Sequence, residues 1–249
     1  MNQHAPIGSF DELAEAYDRY RIGYAKDLYD AIFEYGLAPS SRALDLGCGT
    51  GLVSAELVAR GCRVVGLDVS EKMLARARER APQASFVKGR AEDMPFASAS
   101  FDAAVSAQAF HWFDQPSVFA ELRRVVRPGG IVAIWWKSFM RGDAIRLLRN
   151  EAAAEIGYPP PREIIKDFDA FDAAPLQDKL LRVVPWIVRM RVGDFLGYER
   201  SRALAREAFG ERIDDYFGAL RTRLGDPQSE LSLSYIHLLY LGRVPLAAG

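Results

Sequence analysis

Leu44-Asp45-Leu46-Gly47-Cys48-Gly49-Thr50-Gly51 is the stretch of sequence that decides the fold. Hydrophobic residues at 43–46 predict a buried strand, the three glycines predict a turn, and the apolar residues after Gly51 predict an amphipathic helix that ends near Gly61. Glycines in such a turn permit a positive φ and allow the backbone to approach a ligand closely. The stretch therefore predicts a strand, a turn and a helix that together bind a nucleotide-like ligand.

Asp45 indicates which nucleotide suits this turn. A dinucleotide would bring its pyrophosphate close to the Asp45 carboxylate, and like charges at close range in a poorly solvated turn are costly. The dinucleotide fingerprint also requires Gly or Ala at position 52, where this chain has Leu52. A ligand with an ammonium group and a sulfonium, but no phosphate, would instead be attracted. S-adenosylmethionine has both groups and lacks phosphate.

A second acid follows at the spacing of a ribose contact. Residues 63–68 are predicted to form the next strand, and its last residue, Asp68, stands 17 positions after Gly51. An acid near this position accepts hydrogen bonds from ribose hydroxyls in nucleotide-binding folds. Ser70 then caps a helix that carries Met73. The alternative is that Asp45 and Asp68 are ordinary strand-end or capping residues.

These residues resemble the class I S-adenosylmethionine-dependent methyltransferases, and in particular the bacterial small-molecule group (methyltransferase type 11) with its ubiquinone/menaquinone-type and trans-aconitate-type members. The likeness continues in the loop at 89–96, the segment at 106–112 and the helix and turn at 119–130. It implies an α/β fold: a doubly wound, seven-stranded, mainly parallel sheet (the Rossmann-like methyltransferase fold) with helical lid segments. The seventh strand would be antiparallel to the rest.

The resemblance also implies a set of contacts to S-adenosylmethionine and to its product S-adenosylhomocysteine. They lie in an N-terminal helix, the glycine loop, the ribose acid and its surroundings, the adenine loop and the end of strand four. The expected residues are Tyr17, Arg21, Asp45, Gly47, Cys48, Gly49, Gly51, Asp68, Val69, Met73, Ala91, Glu92 and Gln108. On the sequence alone, Glu92 is equally well explained as a solvated loop acid.

An aromatic cluster near the amino terminus, Tyr17, Tyr20, Arg21 and Tyr24, suggests a clamp over the cofactor. The Arg21 guanidinium would pair with the carboxylate of the methionine part while the aromatic faces exclude water. The alternative is a helix that packs by its aromatic face, with Arg21 in a surface ion pair.

Methyl transfer from a sulfonium needs an aligned nucleophile and exclusion of water, so no metal is expected. The histidines, at positions 4, 111 and 237, are widely spaced and the two cysteines lack ligand spacing, so no metal site is predicted. His111 follows strand four at the carboxyl edge of the sheet, where it could act as a general base for a hydroxyl or amine. The alternative is that His111 and Trp112 only pack the loop against the cofactor or the core.

The composition is typical of one α/β domain. The 249 residues are 49% hydrophobic, which is enough for one sizeable core. A formal net charge of -1 and a pI near 6.3 give no field that draws the protein to nucleic acid or to anionic membranes. The lack of an apolar stretch of roughly 18 residues or of a signal peptide, together with only two cysteines, predicts a cytoplasmic protein. We expect a small-molecule substrate, no nucleic-acid or membrane partner, and a monomer or homodimer.

The chain is predicted to form a single methyltransferase domain over 1–249. Its parts are N-terminal helices over the cofactor at 1–36, a cofactor-binding core at 37–136, a lid with the sixth strand at 137–230 and the final strand at 231–249. Helices are predicted at 116–127 and 142–156, and the last two strands at 181–192 and 232–244.

The region after strand five is rich in aromatic residues, which fits an apolar substrate pocket. Arg141 there could anchor an anionic substrate, or could simply be solvated. Two other functions stay open at this point. One is a nicotinamide-dependent oxidoreductase on a similar sheet, which Asp45, Leu52 and the Glu92 loop disfavour; the other is a protein that binds S-adenosylmethionine without turnover.

Overall fold

A seven-stranded sheet forms the centre of the computed structural model, which describes residues 22–160 and 169–246. In the order β3-β2-β1-β4-β5-β7-β6, β1 to β5 are parallel to their neighbours, and β7 runs antiparallel to both β5 and β6. This confirms the predicted doubly wound, mainly parallel sheet with an antiparallel last strand. The strands are β1 (Arg42–Leu46), β2 (Arg63–Asp68), β3 (Ser85–Lys88), β4 (Phe101–Ala107), β5 (Val126–Phe139), β6 (Gln177–Arg191) and β7 (Glu230–Arg243).

Helices connect these strands, and several begin at the expected caps. The Ser70 hydroxyl accepts a hydrogen bond from the Met73 amide at 3.2 Å, as predicted, and Asp114 caps a later helix in the same way through Ser117. Short 3-10 turns occupy Phe110–Trp112 and Gly210–Arg212. The helices are α1 (Lys26–Tyr35), α2 (Leu52–Ala59), α3 (Glu71–Arg80), α4 (Gln115–Val125), α5 (Ala144–Glu155), α6 (Asp169–Ala173), α7 (Val192–Arg200), α8 (Ala203–Phe209) and α9 (Ile213–Leu224).

Two hydrophobic clusters cover the opposite faces of the sheet. Successive residues of a strand point to opposite faces, so Trp135 and Trp136 of β5 belong to different clusters. Leu28 and Ile32 of α1 pack on the Trp135 side, and Phe119 of α4 packs on the Trp136 side. Each of these side chains is at most 3% exposed, and complete burial of such a side chain stabilises a fold by roughly 1.5–3 kcal/mol.

A third cluster joins the helices that follow β5 and β6 to the ends of the last strands. Phe195 of α7 and Tyr216 of α9 are completely buried in it, together with Phe139 of β5 and Tyr235 of β7. The cluster fixes α5, α7, α8 and α9 above the sheet edge where β5 ends. The proposed lid at 137–230 contains these helices.

The boundaries predicted for four elements differ from the structure by one to four residues: the helix expected at 142–156 covers 144–155, the strand expected at 232–244 covers 230–243, and two others need a physical reason. The helix expected at 116–127 ends at Val125, because Val126 already pairs with Phe101, and the Pro-Gly-Gly turn lies within β5 at an irregularity of this pairing. Gly129 and Gly130 there exchange backbone hydrogen bonds with Val244. The sixth strand covers 177–191 rather than 181–192. It begins earlier because Gln177 already pairs with Arg243 of β7, and its last paired residue is Arg191, opposite Glu230.

Candidate functional site

The glycine loop (residues 47–51) lies at the carboxyl ends of β1 and β2, where parallel sheets place their ligands. Its first two amides both donate to the Leu67 carbonyl, at 2.8 and 3.1 Å. Its other end is held by Arg80, whose guanidinium donates to the carbonyl and the hydroxyl of Thr50, both at 2.8 Å. The loop is therefore fixed at both ends by neighbouring elements.

Two of its glycines are required for different reasons. Gly51 has φ +78°, and a Cβ there would lie 3.0 Å from the Ala77 Cα, so this glycine lets α2 and α3 approach each other. Gly49 has φ +52°, but a Cβ there would meet nothing within 4 Å. The open space in front of Gly49 belongs to a small pocket. It is lined by Tyr24, Asp45, Gly47, Cys48, Gly49, Thr50, Leu52, Val53 and Ala107.

Asp45 is the buried acid of this pocket. It is 1% exposed, and its carboxylate accepts a hydrogen bond from the Ser54 hydroxyl at 2.6 Å. Burial raises the pKa of Asp45 to about 7; the Ser54 hydrogen bond opposes this rise, and the nearby Asp68 charge adds to it. Burial, followed by the charges of Asp45 and Asp68, also raises the pKa of the Cys48 thiol well above its usual value. A cation at this site would relieve the crowding of negative charge.

Asp68 holds the glycine loop and the start of α3 together. One carboxylate oxygen accepts from the Gly49 amide and the other from the Ser70 amide, both at 2.9 Å. Each carboxylate oxygen can accept more than one hydrogen bond, so the two amide bonds do not by themselves exclude a ribose hydroxyl as a further donor. The ribose role of Asp68 stays a prediction. Val69 is half-buried beside it, and Met73 is 3% exposed within α3.

The expected adenine loop is tied to the start of α4. One oxygen of Glu92 accepts from the Asp114 amide at 3.1 Å, and the other lies 3.3 Å from the Arg90 guanidinium. Ala91 is 5% exposed. Glu92 therefore positions this loop through two specific contacts, whereas a solvated loop acid would make none. Contact of Ala91 and Glu92 with an adenine stays a prediction.

Gln108, immediately after β4, has a backbone conformation that is unusual for a residue with a side chain. Its φ is +56°, which costs a non-glycine residue roughly 1–3 kcal/mol and is characteristic of functional sites. The amide donates to the Trp135 carbonyl at 2.9 Å, and the side-chain nitrogen donates to the Lys137 carbonyl at 3.1 Å. One proton of the side-chain nitrogen is thus bonded to β5, and the predicted cofactor contact of Gln108 would use its oxygen or its second amide proton.

The hydrogen bond made by His111 decides what its ring can do. The Trp136 indole N–H donates to Nδ1 of His111 at 3.1 Å. Because an indole nitrogen can only donate, the neutral His111 ring carries its proton on Nε2. In this arrangement Nε2 is a hydrogen-bond donor. The base role of His111 stays a prediction, and it would require proton transfer to Nδ1 in competition with Trp136.

Only part of the proposed N-terminal clamp falls within the described residues. Tyr17, Tyr20 and Arg21 lie outside them. Tyr24 lines the glycine-loop pocket, and its ring packs edge-on against Trp135 at a centroid distance of 5.5 Å. Tyr24 therefore joins the pocket to β5.

The sequence reasoning missed Lys137. Its ammonium nitrogen is inaccessible to solvent and lies 5.0–5.8 Å from the centroids of four aromatic rings. We call these rings the aromatic box; they belong to Tyr24, Trp186, Tyr198 and Tyr235. Arg141, the cation considered from the sequence, is exposed. A lysine directly after the buried pair Trp135-Trp136 was the available signal, because charged residues are rare at the end of such a hydrophobic strand.

Two classes of site have no counterpart in the part of the chain that the structure describes. No three side chains among its histidines, cysteines, aspartates and glutamates are grouped so that they could hold a metal ion. None of its helices combines the length and the apolar character that crossing a bilayer requires.

Known proteins share the central part of this chain. Residues 44–134 match the family described as a methyltransferase domain. A Mycobacterium tuberculosis protein described as an uncharacterised methyltransferase is 38% identical over 130 residues, which is 52% of each chain. The malonyl-[acyl-carrier protein] O-methyltransferase of Erwinia pyrifoliae is 37% identical over 134 residues, 53% of this chain and 51% of that protein. The chain thus spans about half the length of the curated relatives it matches.

The likeness to a solved structure extends further along the chain. A candidate type II methyltransferase from Anaeromyxobacter dehalogenans has a TM-score of 0.69 and 28% identity, with 91% of this chain and 99% of the other covered. The phosphoethanolamine N-methyltransferase 2 of Haemonchus contortus, solved with S-adenosylhomocysteine, has a TM-score of 0.55 at 20% identity and shares the fold. The fold surrounding the glycine loop is therefore that of known methyltransferases.

Proposed function

We propose that this protein is an S-adenosylmethionine-dependent methyltransferase with a small-molecule acceptor, and the match of residues 44–134 to the methyltransferase domain family is the premise of this proposal. The methyl group would pass to the acceptor by in-line displacement at the sulfonium. The observation that carries the proposal is the glycine-loop pocket, which is open in front of Gly49 and contains the buried acid Asp45. Negative charge at this position suits a cationic nucleoside and disfavours a pyrophosphate.

The residues around the pocket have distinct tasks in this proposal. When bound, S-adenosylmethionine supplies a methyl group already activated by its sulfonium. Asp45 provides negative charge for the cationic part, Asp68 accepts from the ribose, and the Glu92 loop borders the base. Gln108 and His111 lie just after the end of β4, where they would border the approach of the acceptor. The chain's contribution is to align the two reactants and exclude water.

Partners and setting are part of the same proposal. A formal net charge of -1 supports a small-molecule acceptor rather than nucleic acid. Cys48 and Cys62 are both free thiols, which supports a reducing cytoplasm. The segment 137–230 would serve as a lid over the acceptor, and the protein would act as a monomer or homodimer.

Calorimetry separates this proposal from the oxidoreductase alternative. The protein is expected to bind S-adenosylmethionine and S-adenosylhomocysteine but not NAD. Asp68→Asn should weaken S-adenosylhomocysteine binding about tenfold, because it removes a charged acceptor for the ribose. Glu71→Gln is the matched control, since Glu71 is exposed on the next helix. Tighter binding of NAD than of S-adenosylhomocysteine would overturn the proposal.

Turnover requires a second measurement. Release of S-adenosylhomocysteine is followed while S-adenosylmethionine is offered together with a panel of hydroxyl, amine and carboxylate acceptors. Product formed in the presence of one acceptor, above the rate without acceptor, is the expected result. Tight cofactor binding with no product across the panel would instead favour a non-catalytic binding protein.

A further inference from the structure

A group of buried polar atoms lies beside the glycine-loop pocket, where β5 pairs with β7. Lys137 of β5 stands opposite His237 of β7 in the antiparallel register. Tyr235 lies two residues before His237 and points to the same face of the sheet. The aromatic box surrounds the Lys137 ammonium nitrogen at these positions.

His237 presents an acceptor nitrogen inside the protein. The residue is completely buried, and its Nδ1 lies 3.3 Å from the Val184 carbonyl oxygen. A carbonyl only accepts, so Nδ1 carries the proton and Nε2 keeps its lone pair. Burial, and then the Lys137 charge, lowers the pKa of His237 to about 4, so the ring is neutral near pH 7. Nε2 has no hydrogen-bond partner among the described residues.

Tyr235 adds a buried hydroxyl beside His237. Its side chain is 2% exposed, and its hydroxyl likewise lacks a hydrogen-bond partner in the described part of the chain. Leaving a buried polar atom unsatisfied costs roughly 1–3 kcal/mol, and native proteins satisfy nearly all such atoms with protein, water or ligand. The hydroxyl of Tyr235 and Nε2 of His237 therefore each call for a polar partner that the described residues do not supply.

The position of the aromatic box relates it to the cofactor pocket. The Tyr24 ring lines the glycine-loop pocket and also lies 5.8 Å from the Lys137 nitrogen and from the His237 ring centroid. The Gln108 side chain, at the end of β4, donates to the Lys137 carbonyl. A molecule held in the box would thus lie next to the pocket proposed for the methyl donor.

We propose that the aromatic box is the binding site of the acceptor, and that the acceptor is a small carboxylate with an O–H or N–H group beside its carboxylate. The carboxylate accepts from the Lys137 ammonium and the Tyr235 hydroxyl, which are donors. The O–H or N–H group donates to Nε2 of His237. The aromatic faces of the box contact the apolar body of the molecule. This inference rests on the proposed methyltransferase function.

The test measures binding rather than turnover. Calorimetry in the presence of saturating S-adenosylhomocysteine compares three carboxylates, salicylate, anthranilate and malate, with the corresponding amides. At least one carboxylate is expected to bind wild type about tenfold or more tightly than its amide, because a hydrogen bond to a charged group is lost in the amide. Lys137→Met should abolish this preference, and Lys137→Arg should retain part of it. Lys179→Met, at an exposed lysine of β6, is the control and should keep it in full.

The affinity for S-adenosylhomocysteine alone serves as the check on folding. Lys137→Met should bind it as wild type does, because Lys137 lies outside the glycine-loop pocket. A variant that binds S-adenosylhomocysteine normally and retains the wild-type preference for the carboxylate overturns the inference. The absence of any carboxylate preference in wild type overturns it as well. Failure of wild type to bind S-adenosylhomocysteine refutes the proposed function itself and is seen before any acceptor is added.

Discussion

Asp45→Asn should remove an unusual pH dependence of stability. The Asp45 carboxyl is 1% exposed and accepts the Ser54 hydroxyl at 2.6 Å. Burial is the main cause that raises its pKa from 3.8 to about 7, with the charge of Asp68 as a further cause. Asparagine has the same size and keeps an oxygen that can accept from Ser54. The substitution therefore removes the ionisation while it preserves the packing.

The magnitude follows from the two pKa values. Because the folded protein holds the Asp45 proton to a higher pH than the unfolded chain does, this group favours folding most below about pH 4. That contribution is lost as the pH rises from about 4 to about 7, the pKa of Asp45 in the folded state. One pKa unit corresponds to about 1.4 kcal/mol, so the whole loss is about 4 kcal/mol, and about 2–3 kcal/mol of it falls between pH 5 and pH 8.

Urea unfolding of wild type and Asp45→Asn at pH 5 and pH 8, without ligand, measures this effect. The free energy of unfolding of the variant should rise relative to wild type by about 2–3 kcal/mol between the two pH values. Asp102→Asn is the control. The Arg42 amide, and then Arg127, lower the pKa of Asp102, so its titration ends below pH 5 and its difference from wild type should stay constant. An equally constant difference for Asp45→Asn would refute the reasoning.

Three further predictions concern other parts of the site and its support. Gly51→Ala should destabilise the fold by about 2 kcal/mol or more in urea unfolding. Gly51 has a left-handed backbone conformation, and an added Cβ would press on the backbone of α3 at Ala77. Arg149→Met should cost about 3–5 kcal/mol by the same measurement, because it removes one of the two arginines that neutralise the buried Glu199 at 2.8 Å. Trp136→Phe should allow the neutral His111 proton to move from Nε2 to Nδ1, which imidazole ¹⁵N chemical shifts report; unchanged shifts would contradict the hydrogen bond.

The sequence was sufficient to predict the glycine-loop pocket because its parts follow one another in the chain, whereas the full sheet was implied by the family resemblance. A strand, a glycine turn and a helix follow one another within 44–59, and Asp68 ends the next strand, so chain order alone brings the acid to the loop. The hydrogen bond of Asp68 to the Gly49 amide was not expected, but it follows from the same proximity. The end of the helix at 125 was harder to predict, because the pairing of Val126 with Phe101 is a tertiary interaction.

Side-chain roles were less predictable where distant strands set them. His111 was considered as a base from its place after β4, yet its tautomer depends on Trp136, which lies on another strand. His237 received no role, since nothing near it in the sequence predicts that its Nδ1 faces the Val184 carbonyl. Local patterns can place a histidine at a sheet edge, but only the pairing of strands decides which ring nitrogen is available.

The position of β7 between β5 and β6 explains why the aromatic box forms at all. If β6 followed β5 directly, Lys137 would have a β6 residue as its neighbour; the inserted strand instead places His237 opposite Lys137 and Tyr235 on the same face. Trp186 of β6 then reaches the box from the far side of β7, and its ring lies 5.3 Å from the His237 ring centroid. Since Tyr24 lies on the glycine-loop side, one face of the sheet brings together residues from positions 24 to 237. If the proposed function holds, the donor site would lie on the part of the fold shared with known methyltransferases, while residues of the last two strands would help to select the acceptor.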